Sequence, residues 1–480
     1  MSLKQSEVVF MYDSDDETYD AYGATFSAWG SSRRPEQVAR HHARGMRCSA
    51  HIWRLTANLK LLMPGQPLRD AVARDIAGQP VVVPWLMDGI AADVSPWFGC
   101  THHPLYLEHT RSLVREYMAG GADALQVDDH LGVAHAAIHF GGGLCDHCMA
   151  AFRLWLSDHA PSDRLRDAGV HDLAGFDYRT IVRQFATDRA TYLRVRETIP
   201  LMDLFERFHL ESAAAQVFSL KSLAEEAAGH EVMLSANAGI QERMHHTIVP
   251  FVHHLVCEVK QSADRPFILT DEAVQAYRLG EQLGVPMCVT ASGLNWALAK
   301  AHGAIDVIQF WVALAYAHGQ RFMTPHNRNQ WCHTPEFGSF NYAAPVESFA
   351  PMYRFIREHA AWFDDFVPVD DVDVSAACTS TSKHPGLGRV HVSVRRHDGG
   401  GRVAIHLLDR FCGHADTWPR VRDAVDVEVS LPADLLAGLK GEASWLRFDG
   451  DAESVTLAAE GNRLTTTLRL EPVWGVLVLA

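Results

Sequence analysis

"GADALQVDDH", residues 121–130, decides how this chain folds, because it runs a buried strand straight into two carboxylates. Six residues of core-type pattern lead to Asp128, Asp129 and His130 with no turn residue between them. Successive side chains along a strand face opposite sides. Leu125 and Val127 therefore share one face, and Gln126 and Asp128 share the other. In a parallel barrel the apolar pair turns outward to the helices. Asp128 then points inward at the C-terminal rim, where such barrels carry their functional groups, and Asp129 begins the loop.

Working outward, short β-rich runs alternate with amphipathic helical stretches as far as about residue 326, the pattern of a parallel sheet with crossover helices. The predicted strands are 7–13, 46–53, 80–88, 122–128, 231–237, 252–259, 286–292 and 320–325. Eight such runs in a little over 300 residues predict a (β/α)8 TIM barrel over 1–367. "HPLYLEHTRSLVREYMAGG" (103–121) reads as a crossover helix with a glycine stop. The stretch 130–229 is too long for one connection and predicts a helical insertion after strand four, walling the open end of the barrel. Past residue 367 runs such as "VHVSVRRH" and "RLTTTLRLEP" alternate with turn residues, predicting a C-terminal antiparallel β-sandwich over 368–480.

The chain has 480 residues, 48% of them hydrophobic, and a formal net charge of −15. That charge disfavours nucleic acid and anionic membranes as partners, both of which would repel it. No apolar run reaches the roughly 18 residues that span a bilayer. The N-terminus lacks a hydrophobic signal core, and nine cysteines at scattered spacings suit a reducing compartment. A cytoplasmic location is expected. Among 28 histidines, adjacent pairs such as His41-His42 and His253-His254 read first as compositional bias.

The sixth predicted strand repeats the parity of the fourth: Leu255, Cys257 and Val259 take one face, while His254, Val256 and Glu258 take the other. Glu258 is thus predicted to enter the same mouth as Asp128. Two carboxylates across a sugar-sized gap meet the requirement for glycoside cleavage, one as nucleophile or base and one as proton donor. Trp53 and Trp85 end predicted strands and offer flat platforms to a pyranose. Asp13, His51, Asp88, His130, Asn237 and His326 lie at or beyond strand ends and are candidate partners for hydroxyl groups. Asp271 and Glu272 read as the acidic first turn of a helix.

"GGGLCDHCMAAFRLWL" (141–156) contains a Cys-x-x-Cys pair, Cys145 and Cys148. Structural zinc needs four ligands. Cys100 is a candidate third, with His147 or a nearby histidine as fourth. The competing reading, small buried residues at a helix start, is preferred, so no cofactor is assigned and structural zinc stays the alternative.

The order "GADALQVDD", short loop, "CDHCMAAFRLWL" resembles barrel glycoside hydrolases of the family-42 β-galactosidase type and, more closely, hypothetical glycosyl hydrolases related to them. Those proteins carry a strand like "DGIFLD" followed by a Cys-x-Cys-x-x-Cys-x-x-x-Phe-Arg pattern. Gly143 stands here in place of the first of those cysteines. Family-42 enzymes end strand four with Asn-Glu, whereas this chain has Asp128-Asp129. An aspartate at this strand end is more similar to the nucleophile of barrel α-glycosidases, whose proton donor comes from a later strand. The resemblance implies Asp128 as nucleophile and Glu258 as acid/base, with Asp129 the next candidate and an exchange of roles between the first two left open.

The expectation is a retaining glycoside hydrolase acting on an oligosaccharide or small glycoside. The alternatives are a non-catalytic carbohydrate-binding barrel and a metal-dependent barrel hydrolase. No nucleic-acid or membrane partner is expected, and the insertion and β-domain are candidate surfaces for a homo-oligomer.

Overall fold

The computed structural model describes residues 3–29, 34–53, 70–84, 97–259, 270–291, 295–296, 303, 305–325, 331–334, 338–341, 345–370, 372–378, 388–410, 424–439, 441–471 and 473–480. Eight strands follow one another in a single sheet: β1 (Val9–Phe10), β2 (Phe26–Ser27), β3 (Arg47–Trp53), β4 (Ala124–Asp128), β5 (Met233–Asn237), β6 (His254–Val259), β7 (Met287–Ala291) and β8 (Arg321–Phe322). Every neighbouring pair is parallel. Just past β8 the Thr324 amide donates to the Val9 carbonyl at 2.8 Å, bringing the last strand to the first. The (β/α)8 barrel is therefore present.

Side-chain parity sorts the two sides of this wall. Val9, Phe26, Ala124, Met233, Val256 and Cys288 pack together inside the barrel. Leu125, Val127, Leu234, Ala236, Leu255 and Val289 pack outward against the helical shell. The helix Pro104–Ala119 begins with proline at its first turn, which suits an N–H that has no helical partner, and is capped by the His103 ring accepting from Leu105 N. Tyr117 and Met118 of that helix join the outer cluster.

One strand is corrected. The run 80–88 is not barrel strand three: Pro80 bridges Arg74 and Val82 bridges Trp97, both antiparallel and outside the named strands. Val81 and Val83 are buried, but against Phe98, Phe152 and Phe205 in a second core formed by the insertions. Val81 and Val83 are buried while Val82 is half-buried and Pro84 exposed, an alternation that either location can produce. The missing barrel strand is β2, only two residues long, which makes 47–53 the third strand rather than the second.

The connection after β4 holds helices Val133–Phe140, Asp146–His159, Ser162–Asp167, Arg179–Val182, Arg189–Val195 and Met202–Ala228. The last has 27 residues and serves two cores. Phe205 and Phe208 enter the insertion core, while Val217, Leu220 and Ala224 lie against the barrel.

The C-terminal region contains a six-stranded and a four-stranded antiparallel sheet. Val403, Ile405 and Leu407 face the four-stranded sheet, packing with Val427, Val429 and Leu468. Ala404 and Leu408, on the opposite face, join the barrel's outer cluster together with Trp474 and Val476. The six-stranded sheet is thereby apolar on both faces and seats directly on the barrel.

Leu125 is fully buried behind β4. Leu125→Ala is expected to lower unfolding stability by roughly 2–5 kcal/mol, read from denaturant midpoints at an unchanged slope.

Candidate active site

The inward faces of β3 to β6 carry polar groups toward their C-terminal ends. The pairing of Val127 with Ala236 brings Asn237 beside Asp128. Asn237 Nδ2 donates to Asp128 Oδ1 at 3.0 Å, and the Asp129 amide donates to the same oxygen at 3.1 Å. Asp128 Oδ2 takes no hydrogen bond among the described residues; His51 Nε2 lies 3.7 Å away. Trp29 Nε1 donates to that same Nε2 at 3.2 Å. An indole N–H only donates, so Nε2 carries the lone pair and the 3.7 Å approach is a contact rather than a hydrogen bond.

Behind Asn237 the donors run in one direction. His130 Nδ1 lies 3.3 Å from the Asn237 carbonyl, which only accepts, so Nδ1 holds the proton. His130 Nε2 then accepts from His245 Nδ1 at 3.3 Å. Burial pushes the His245 pKa down to about 4, with neighbouring histidines adding to the effect against Glu242. Deeper still, Ser235 Oγ donates to Gln126 Oε1.

Glu258 projects from β6 on the same inward side. Its side chain keeps contact with solvent at the mouth. The surrounding barrel wall nonetheless desolvates the carboxyl and pushes its pKa up, and the negative charge of Asp128 raises it further. Such a group holds its proton to higher pH than an ordinary glutamate.

The remaining sequence candidates divide. Asp129 has φ of 43° and turns toward the helix Val133–Phe140, where its Oδ1 meets His135 Nδ1 at 3.2 Å. Asp13 faces the helix Pro35–Ala43 through His41 Nε2 at 3.3 Å and Gln37 Nε2 at 3.4 Å. His51 is buried beside Asp128, and His130 is fully buried behind Asn237 rather than lining the opening. Trp85, Asp88 and His326 lie outside the described residues, as does the side chain of Trp53.

Sequence reasoning missed Trp29, Tyr12, His245 and His135. Tyr12 and Trp29 lie two residues past β1 and β2, their rings 6.2 Å apart and packed on the barrel interior. "FSAWG" alternates as an inward-facing strand should, but over too few residues to be read as one.

The cysteines form a separate cluster in the insertion core. Cys100, Cys145 and Cys148 are buried with their Sγ atoms 3.2–3.6 Å apart. His147 is exposed, its ring 4.4 Å from that of His103, and does not join them; His102 Nδ1 lies 3.4 Å from Cys148 Sγ alone of the three. The three thiols lie close enough together to share a metal ion.

No protein-family model matches the chain, and no curated protein matches it in sequence. Solved structures do. A cycloisomaltooligosaccharide glucanotransferase from Paenibacillus sp., complexed with cycloisomaltoheptaose, superposes with a TM-score of 0.63 at 10% identity, covering 99% of this chain and 85% of that one. The α-L-fucosidase isoenzyme 2 of Paenibacillus thiaminolyticus gives 0.53 at 9% identity, covering 99% of both. An α-amylase from Geobacillus thermoleovorans, complexed with acarbose, gives 0.51 at 9% identity, covering 100% and 99%. At these identities the likeness establishes the fold: a barrel followed by antiparallel sheets.

Two measurements test the site's electrostatics. The Glu258 carboxyl, followed by isotope-edited infrared titration, is expected to show a lower pKa in Asp128→Asn than in the parent protein; an unchanged value would mean the two acids do not sense each other. His245 has a folded pKa below its unfolded value of 6.5, so the unfolded chain binds more protons. Its contribution to stability is complete above pH 6.5 and is lost as pH falls from there toward about 4. His245→Gln is therefore expected to flatten the pH dependence of unfolding free energy in that window by up to about one proton.

Proposed function

We propose that the chain is a retaining glycoside hydrolase that cleaves an oligosaccharide or small glycoside with Asp128 as nucleophile and Glu258 as acid/base. The observation that carries the reading is the coupled pair. Both carboxylates project inward at the C-terminal end of one barrel, and the charge of Asp128 helps keep Glu258 protonated. The resemblance of the fold to solved barrels that act on carbohydrates is consistent with it.

The two environments suit two roles. Asn237 and the Asp129 amide hold Asp128 through Oδ1, which orients Oδ2 for attack. The protonated Glu258 gives its proton to the glycosidic oxygen as the leaving group departs, and Asp128 Oδ2 bonds to the anomeric carbon. In the second half Glu258 takes a proton from water, and that water displaces Asp128. The sugar leaves with its original anomeric configuration. Trp29, beside His51 and next to Tyr12, supplies an aromatic wall against which the apolar face of a sugar ring can rest.

Asp128→Asn and Glu258→Gln are each expected to keep the parent circular-dichroism spectrum and to lose turnover, roughly 10²–10⁴-fold for the proton donor and at least as much for the nucleophile. Turnover is measured on a panel of aryl glycosides, with the product anomer read by proton NMR before mutarotation. Full activity in either variant removes that residue from the mechanism, and an inverted anomer removes the covalent step.

A further inference from the structure

Two glycine turns bring three ligand-type side chains together at the N-terminal end of the barrel. The helix Pro35–Ala43 ends at Arg44, and Gly45, with φ of 70°, reverses the chain into β3. The Gly45 amide donates to the His42 carbonyl at 2.9 Å and the Met46 amide to the His41 carbonyl at 3.0 Å. Cys48 on β3 thereby returns beside His42. The turn before β4 packs on the same helix, since Gly121 has φ of 90° and a Cβ there would touch Val38 Cγ1 at 3.5 Å. Asp123 closes that turn. Its amide donates to the Cys48 carbonyl at 3.0 Å, and the Cys48 amide donates to Asp123 Oδ2 at 2.8 Å. His42 Nε2 lies 2.9 Å from the same oxygen.

The ligand atoms of His42, Cys48 and Asp123 all lie within 4.8 Å of one another. Imidazole nitrogen, thiolate sulfur and carboxylate oxygen are the donors zinc takes in proteins, at about 2.0–2.3 Å. Tetrahedral bonds of that length set their donors about 3.3–3.8 Å apart, so closing on an ion takes side-chain shifts of about an ångström. His42 and Asp123 are 43% and 26% exposed, so the side of the cluster away from the buried Cys48 faces water. We propose that His42, Cys48 and Asp123 bind a zinc ion with water in the fourth position.

The charges close. Cys48 gives its thiol proton to solvent as the zinc–sulfur bond forms, and the His42 proton passes from Nε2 to Nδ1, freeing the Nε2 lone pair. One divalent ion then balances one thiolate and one carboxylate, and it removes the repulsion a thiolate would meet beside Asp123. The Cys48 amide keeps Asp123 oriented, the part an outer-shell donor plays at metal sites. Binding ties the helix Pro35–Ala43 to the starts of β3 and β4, the end of the barrel opposite Asp128 and Glu258. That end of such barrels serves stability, so the ion acts as a staple, and the proposal stands independently of the catalytic reading.

The test uses the full chain, purified under reducing conditions, with zinc or cadmium-113 added. Cadmium is expected to give a resonance typical of a single sulfur ligand, distinct from any ion held among Cys100, Cys145 and Cys148. Cys48→Ser is expected to abolish that resonance. His42→Gln and Asp123→Asn are each expected to keep the parent circular-dichroism spectrum and to weaken zinc binding at this site at least about 10–100-fold. Asparagine still offers an oxygen to the Cys48 amide, so its effect reports ligation rather than local folding. Zinc is expected to slow amide hydrogen exchange over 42–48 and 121–124 in the parent protein and not in His42→Gln. The proposal is overturned if cadmium gives no single-sulfur resonance, or if parent and His42→Gln bind zinc in the same number and with the same affinity. If Cys48→Ser does not fold, the other two variants still decide.

Discussion

The parallel ladder between β4 and β5 is the constraint on which the candidate site depends. Ala124, Leu125, Gln126 and Val127 pair with Met233, Leu234, Ser235 and Ala236 in unbroken register. One step further along, the same register sets Asn237 beside Asp128 and lets its amide reach Oδ1. A slip of one residue would turn Leu125 and Val127 into the barrel and Asp128 against the helices. The apolar shell that receives Leu125, Val127, Leu234 and Ala236 therefore fixes the direction of the carboxylate as firmly as any contact the carboxylate makes itself.

Outside the barrel the chain has to support a large body inserted between its strands. The helix Met202–Ala228 does this mechanically, with one half in the insertion core and the other against the barrel. Its N-terminal half brings Phe208 to the face of His102. The insertion core is thereby joined to the barrel by one continuous helix.

Much of this was legible from residue pattern, and the failures have physical causes. Period-two alternation in "ADALQVDD" and "HHLVCEV" oriented Asp128 and Glu258, because a strand with one face against helices and one toward a polar mouth writes both demands into its sequence. The run 80–88 writes only burial, which a barrel wall and an insertion core require equally. β2 has two paired residues and leaves no periodic trace, so Trp29 went unnoticed along with it. His130 and His51 lie at strand ends, as their places in the sequence suggest, and burial sets them behind Asn237 and beside Trp29, which strand parity alone does not reveal.

The directions of the hydrogen bonds explain why the two acids should divide their labour as proposed. Asp128 Oδ1 accepts from Asn237 Nδ2 and from the Asp129 amide, while a separate pair of bonds runs from His245 through His130 to the Asn237 main-chain carbonyl, with His245 held neutral by burial. The two donors hold the Asp128 carboxylate through one of its oxygens. Glu258 receives no comparable support from the described residues; desolvation and the neighbouring negative charge both favour its neutral form. Reversing the roles would ask Glu258, whose neutral form is favoured, to attack as the ionised nucleophile. That asymmetry is consistent with the proposed roles, Asp128 as nucleophile and Glu258 as proton donor.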